Sequence, residues 1–344
     1  MKINIIGAGP AGVSAAYRAI KEGHDVTIYE KEKVLAKKPC GEASFSEIEQ
    51  LTPFSKFDKQ DFILAKFRKA LVYINHNFVS ELKMPFQCYV FNKSRFLEEY
   101  LEYTEALGVK VKRGTLVTEN SDVWKEEMVI DATGYIRMSR FAKQQCPKVI
   151  PVLRAYTDNN KIINDDEILI DIIGPGYFWI FPYDNLYNVG YGGHINSGDV
   201  KTILNECIKH YNLTVKSRTD GAGIVVSGPP KRLIYGNIRL AGESMGAVNA
   251  GTGEGIRFSL YAGMMAIDND YEKKFWKMHG ENLKRCVKFG GIFLSLRPEQ
   301  FKKIFDDASP ELMMTLVDGK KLNLKTGLQL LFKDPSLFFK YIKS

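Results

Sequence analysis

At 344 residues the chain can bury one large core or two smaller ones. Its 45% hydrophobic and 26% charged residues are ordinary for a soluble globular protein, not for a disordered or fibrous one. Five scattered cysteines (Cys40, Cys88, Cys146, Cys207, Cys286) form no C-x-x-C pair. That argues against a disulfide framework or an iron–sulfur site and fits a reducing, cytoplasmic compartment. The net charge of +8 is uneven, because residues 271–344 hold 15 Lys/Arg against 8 Asp/Glu. Such a tail is either a solvated helical surface or a face for anionic lipid or a phosphorylated substrate, and no nucleic-acid partner is expected.

The first stretch, Lys2-Ile3-Asn4-Ile5-Ile6, reads as a buried strand, and Gly7-Ala8-Gly9-Pro10-Ala11-Gly12 is G-x-G-x-x-G opening into a helix over 11–22. The same apolar run resembles a signal peptide, but only Lys2 precedes it and the glycine motif explains it better. Gly23 stops the helix, and 25–30 is the next strand, ending in Glu30. Strand, glycine turn, helix, strand and terminal acid make up a dinucleotide fingerprint, with Glu30 placed for a ribose hydroxyl. The fingerprint alone leaves NAD and FAD both open.

Further on, Ser94 is expected to cap a helix over 95–107, which Gly108 ends before a strand at 109–112. Met128-Val129-Ile130-Asp131-Ala132-Thr133-Gly134 is an apolar strand ending in Asp-Ala-Thr-Gly. Residues 151–230 read as strand-like: 168–173 and 177–181 are strands, then a turn at Asp184-Asn185 and a return strand at 188–191. Two earlier segments, 71–74 and 86–90, are expected in the same sheet. A late strand, 238–241, runs into the glycine-rich stretch from Gly242-Glu243 to Gly251-Thr252-Gly253-Glu254-Gly255-Ile256, with a helix over 254–267. Beyond 270 the chain reads as helical, with Phe289, Ile292, Phe293 and Leu296 on one face and breaks at Pro298, Pro310 and Pro335. No stretch reaches the roughly 18 uninterrupted apolar residues of a membrane span.

With G-x-G-x-x-G, Asp-Ala-Thr-Gly and a late Gly-acid segment in order, the sequence resembles flavoproteins of the para-hydroxybenzoate hydroxylase fold. Their late segment is Gly-Asp on the flavin ribityl chain, where this chain has Gly242-Glu243 and so a carboxylate one methylene further out. Within that fold it resembles geranylgeranyl reductases, on four segments. These are Lys37-Lys38-Pro39-Cys40-Gly41-Glu42, Tyr177-Phe178-Trp179-Ile180-Phe181-Pro182, Val189-Gly190-Tyr191-Gly192 and Gly253-Glu254-Gly255-Ile256. The chain is short for that family, and Ala250 stands where proline is common.

The resemblance implies an α/β fold: a discontinuous Rossmann-like FAD-binding domain (1–70, 92–150, 231–270), an antiparallel β-sheet substrate domain (71–91, 151–230) and a C-terminal helical region (271–344). It implies FAD as cofactor, contacted by Gly7, Gly9, Ala11, Gly12, Glu30, Cys40, Gly41, Arg95, Ala132, Thr133, Gly134, Gly242, Glu243, Gly251, Thr252, Gly253, Gly255 and Ile256. The Gly251–Gly253 turn and the following helix are expected to point N–H groups at the pyrimidine edge of the flavin, although the glycines also suit plain helix–sheet packing.

Tyr177, Trp179 and Phe181 share one face of a strand, either ordinary core or the wall of an apolar slot for a hydrocarbon chain. Cys40 is the candidate active-site thiol, read against the commoner fate of a buried inert cysteine, and Lys37 and Lys38 are expected to favour its thiolate. Cys40, Tyr177 and Trp179 are thus the candidate catalytic residues. The five histidines show no metal-ligand spacing.

The expected activity is reduction of isoprenoid carbon–carbon double bonds by reduced FAD. The electron donor would be NAD(P)H or a ferredoxin-type protein, since no second G-x-G-x-x-G marks a nicotinamide domain, and peripheral contact with anionic membrane follows from a lipid substrate. Two alternatives stay open: an FAD-dependent monooxygenase or halogenase of the same fold, and a non-catalytic flavin- or lipid-binding protein.

Overall fold

The strand Lys2–Ile6 is buried along nearly its whole length, as the middle strand of a parallel sheet covered on both faces must be. In the structure of the protein, a computed structural model describing residues 1–57, 62–144 and 147–343, it lies between Asp25–Glu30 and Met128–Asp131, parallel to both. Lys110–Arg113 extends the sheet on one side. Ile238–Leu240 extends it on the other, with Ile234–Tyr235 antiparallel at the edge. Helix Pro10–Lys21 crosses this sheet and packs against helix Ile256–Met265. The contact is backbone-close: a Cβ on Gly263 would sit 2.1 Å from the Ala11 carbonyl oxygen, and the Ser14 hydroxyl donates to the Leu260 carbonyl at 3.1 Å. The two helices that open on the glycine-rich loops are therefore locked side by side.

The second sheet has eight strands and is antiparallel except where Ile63–Ile74 runs parallel to Glu167–Ile173. The strands expected at 71–74 and 86–90 are parts of one long hairpin, Ile63–Ile74 and Asn77–Phe91, and the short strand Ala43–Phe45 pairs with its outer arm. This sheet thus begins earlier in the chain than its strongest apolar runs suggest. Alternation along Gly176–Tyr183 sends Tyr177, Trp179 and Phe181 to one face and Phe178 and Ile180 to the other.

Two local expectations are corrected. Residues 197–210, within a stretch read as strand-like, form helix Ser197–His210, which buries Val200, Leu204, Cys207 and Ile208 against the back of the second sheet. Its start is fixed by the Asn196 carboxamide, which accepts from the Asp199 N–H at 3.0 Å. Helix Lys93–Ala106 is capped by Asn92 rather than Ser94, because the Ser94 hydroxyl is drawn to the Leu35 carbonyl at 3.0 Å. The C-terminal prolines act as read from the sequence: Pro298, Pro310 and Pro335 each begin a short helix, where a missing N–H costs nothing. Phe289 and Leu296 are buried in the same cluster as Trp179 and Phe181, with Ile292 and Phe293 packed against it. Cys146 lies outside the described residues. Among them, no helix is long and apolar enough to cross a membrane.

Candidate active site

Gly7 makes the first turn possible. Its φ is +101°, its N–H donates to the Tyr29 carbonyl at 2.8 Å, and a Cβ there would lie 2.5 Å from the Ala132 carbonyl oxygen. Gly12 is tighter still, since a Cβ would fall 1.9 Å from the Gly7 oxygen. Gly9 is the opposite case, with nothing within 4 Å of where its side chain would be. Pro10 opens the helix with no side-chain cap, and the N–H groups of Gly9, Ala11 and Gly12 find no acceptor among the described residues. A helix start with orphaned donors and open space in front of Gly9 fits a diphosphate. Glu30 stands beside it, accepting from the Ala8 and Glu32 N–H groups, each at 2.8 Å, so its carboxylate is fixed at the strand tip.

The Asp-Ala-Thr-Gly turn is organised by Asp131, which is wholly buried. One of its oxygens accepts from the Thr133 hydroxyl at 2.6 Å and the Thr133 N–H at 3.1 Å, the other from the Ser139 N–H at 3.1 Å. Ala132 thereby covers Gly7, and Gly134 lies against Glu243. Gly242, at φ +68°, lets the late loop touch the first one: a Cβ would sit 2.7 Å from that of Ala11. Arg95 stays exposed in the first turn of its helix, where its N–H donates to Asn92 at 3.1 Å.

Glu243 uses its extra methylene as a tie. Its carboxylate pairs with the Lys38 ammonium and accepts from the Val225 N–H at 3.1 Å, joining the Cys40 loop, the first sheet and the second. Lys37 pairs with Glu32 at 2.8 Å. Both lysines are thus committed to carboxylates, and the expected lysine–thiol contact is replaced by a donation from the Glu42 N–H to the Cys40 sulfur at 3.3 Å.

The Cys40 loop lies on the aromatic face. A Cβ on Gly41 would meet the Phe181 ring at 2.7 Å, and Asn188 donates to the Cys40 carbonyl at 2.9 Å while accepting from the Trp179 indole N–H at 3.1 Å. Gly190, of the Val-Gly-Tyr-Gly segment, lets the Trp179 ring lie across the neighbouring strand, since a Cβ there would be 2.2 Å from it. The Tyr177 hydroxyl donates to the Thr252 carbonyl at 2.5 Å, and burial pushes its phenol well above the ordinary range. Tyr177, Trp179, Gly251, Gly253, His194 and Leu294 line a small, largely apolar cleft with a volume of about 30 Å³.

The turn opposite this wall is built differently from the expectation. Asn249 accepts from the Gly251 and Thr252 N–H groups through its side chain (2.9 and 3.3 Å) and from Gly253 through its carbonyl (2.8 Å). Those donors are spent inside the turn, and the helix starts at Ile256. At the start of that helix the N–H groups of Gly255, Ile256 and Phe258 are left without an acceptor among the described residues. They fit the anionic edge of a reduced flavin as the diphosphate cradle fits its other end.

Sequence reasoning missed the groups that back the site. Arg257 is buried among three carboxylates: Asp318 (2.8 and 3.2 Å), Glu47 (3.0 Å) and Glu254 (3.4 Å). Burial holds the Glu254 carboxyl above its ordinary range despite Arg257. Only the Glu254–Arg257 spacing was visible in the sequence. Glu42 is also buried, with a positive φ of 60° and one oxygen lacking any partner, and Arg154 stands 3.8 Å away. Burial raises its carboxyl above the usual range. The Gly41-Glu42-Ala43 segment gave no sign of this, because Arg154 comes from a distant strand.

The family model described as pyridine nucleotide-disulphide oxidoreductase matches residues 1–177. Digeranylgeranylglycerophospholipid reductase 2 of Methanopyrus kandleri is 26% identical, with 98% of each chain covered. A geranylgeranyl bacteriochlorophyll reductase-like protein of Thermoplasma acidophilum superposes with a TM-score of 0.77 at 19% identity, covering 99% of this chain and 98% of that one. A flavin-dependent brominase shares the fold at a TM-score of 0.72, 13% identity and 99% of each chain. A family match over half of the chain, a cradle at each end for a flavin dinucleotide and full-length relatives that are reductases agree. The protein belongs to the pyridine nucleotide-disulphide oxidoreductase family and is an FAD-dependent oxidoreductase.

Proposed function

We propose that the protein hydrogenates carbon–carbon double bonds of a geranylgeranyl-type isoprenoid or isoprenoid lipid on the cytoplasmic side of the membrane. Bound FAD, once reduced, supplies hydride. The observation that carries this reading is the aromatic wall itself: its Tyr177–Trp179 end lines the apolar cleft beside the turn at Thr252, to which Tyr177 is tied, and its Phe181 end is covered by the Cys40 loop. Such a wall suits a hydrocarbon chain and little else, because Trp179 and Tyr177 have their polar atoms already satisfied. The full-length relatedness to a digeranylgeranylglycerophospholipid reductase supports the same substrate class.

In this reading the two loops contact FAD at opposite ends: Gly7, Gly9, Ala11, Gly12 and Glu30 at the diphosphate and ribose, Gly255 and Ile256 at the ring. Trp179 and Tyr177 exclude water and orient the alkene, which is a poor electrophile and depends on placement. Glu42, whose carboxyl burial pushes above its ordinary range, follows Cys40 in the chain. This pair is the acid from which a proton reaches the second alkene carbon. Electrons come from NAD(P)H or a small ferredoxin-type carrier.

The test is anaerobic. The flavin is reduced with dithionite, geranylgeranyl diphosphate is added, and absorbance at the oxidised-flavin band is followed. Return of that band without oxygen supports the proposal. A flavin that stays reduced until air is admitted points to the oxygen-activating chemistry of the halogenases that share the fold.

A further inference from the structure

The last two helices, Leu324–Lys333 and Pro335–Ile342, are firmly seated yet leave one face uncovered. Thr326, Gly327 and Leu330 of the first, and Leu337 and Tyr341 of the second, are buried, and the Tyr341 hydroxyl donates to the Thr315 and Lys320 carbonyls at 3.1 and 2.6 Å. Asn323 and Asp334 cap the two helices through the Thr326 and Leu337 N–H groups, at 2.8 and 2.9 Å. On the open side Leu324, Leu328 and Phe332 recur every four residues, followed by Phe339 and Ile342. Leu324 and Phe332 are each 81% exposed, the most exposed large apolar side chains among the described residues. These five fall on two consecutive helices that pack against each other, and together they make up an apolar patch.

Along the segment itself the charge is almost of one sign, with Glu311 of the preceding helix paired to it. Residues 319–343 carry six lysines (Lys320, Lys321, Lys325, Lys333, Lys340, Lys343) and a single acid, Asp334, which is buried as the helix cap. Lys325 pairs with Glu311 at 3.0 Å and Lys333 donates to the Lys303 and Asp306 carbonyls, while the other four make no ion pair with described residues. From this juxtaposition we propose that the Leu324–Ile342 face is a docking surface for an anionic lipid bilayer. Its apolar stripe enters the boundary between headgroups and acyl chains, and its lysines meet the phosphates. A second copy of the chain fits worse, because a two-fold contact through this face would set lysines against lysines. The buried side of the same helices shares a core with Phe289, Trp179 and Phe181, and Leu294, packed against that core, lines the cleft, so the surface stands behind the proposed substrate wall.

Flotation of the FAD-loaded full chain with vesicles tests this without substrate, so its outcome is separate from the isoprenoid reading. The protein is expected to float with equimolar phosphatidylcholine–phosphatidylglycerol vesicles, far less with phosphatidylcholine alone, and to be released by high salt. Leu324→Ser with Phe332→Ser, and separately Lys340→Glu with Lys343→Glu, should each weaken partitioning by about tenfold or more. An unchanged flavin spectrum reports that each variant is folded. Failure to float with either vesicle, or wild-type flotation of both variants, overturns the proposal. A concentration-dependent dimer that Phe332→Ser dissolves overturns it in favour of self-association.

Discussion

The two glycine-rich loops have similar compositions and opposite architectures. The Gly7–Gly12 turn is shaped by backbone pressing on backbone, at Gly7 against Ala132 and Gly12 against Gly7, and it leaves its donors free. In the Gly251–Gly255 loop most donors are consumed by Asn249, whose own amide donates to the Val317 carbonyl at 2.6 Å. Tyr177 holds the same loop from the sheet side, and Arg257 ties its helix to Asp318 and Glu47. In the proposed reading the phosphate end of the site is thus a local property of the chain, whereas the ring end leans on the C-terminal helices. On that reading a change in those helices should reach the reactive end of the flavin and leave the diphosphate end alone.

The comparison breaks most sharply at Gly12 and Gly9. Gly12→Ala drives a methyl into the Gly7 carbonyl and should cost about 3 kcal/mol or more, with FAD lost, as read by thermal unfolding and flavin absorbance. Gly9→Ala meets no protein atom, so the cofactor-free protein should melt as wild type while FAD affinity falls by about tenfold or more in a titration. Equal effects of the two would remove the distinction between a packing glycine and a ligand-facing one.

At the ring end, Asp318→Ala strips Arg257 of its bidentate partner and should destabilise by about 3–5 kcal/mol in denaturant unfolding. Asn249→Ala leaves two N–H groups of the turn unsatisfied. The expected cost is about 2 kcal/mol, with a shifted flavin reduction potential and little change in FAD affinity. A potential that stays put would separate the turn from the flavin edge.

A further effect is one of pH and is spread over a wide range. Burial, with Arg257 nearby, holds His279 at a pKa of about 4, below its ordinary 6.5. The unfolded chain takes up this proton near pH 6.5 and the folded chain only near 4, so the stabilisation is complete above 6.5 and declines between 6.5 and 4. The full loss is about 3 kcal/mol. His279→Gln should flatten that part of the stability curve.

How much was legible in the sequence follows the same division. The first loop, Glu30, Asp-Ala-Thr-Gly and the aromatic strand are read from contiguous residues because their geometry is local, and period-two alternation places Tyr177, Trp179 and Phe181 on one face. The Asn249 turn, the Arg257 cluster and the Glu42–Arg154 neighbourhood depend on partners far along the chain, which no spacing rule exposes. The helix Ser197–His210 was legible, since Val200, Leu204, Cys207 and Ile208 fall at helical spacing, and was passed over inside a strand-rich stretch. Lys38 was assigned to Cys40 by proximity in sequence, yet its ammonium crosses to Glu243 on a different segment.

The central claim is that reduced FAD in this protein hydrogenates an isoprenoid alkene placed against Tyr177 and Trp179. The most direct measurement is the mass of the isoprenoid recovered after anaerobic incubation of geranylgeranyl diphosphate with the dithionite-reduced protein. The account predicts a gain of two hydrogens for each bond reduced, with reoxidised flavin in proportion, and loss of both in Trp179→Ala protein that still binds FAD. An unchanged isoprenoid beside a flavin that remains fully reduced would contradict it.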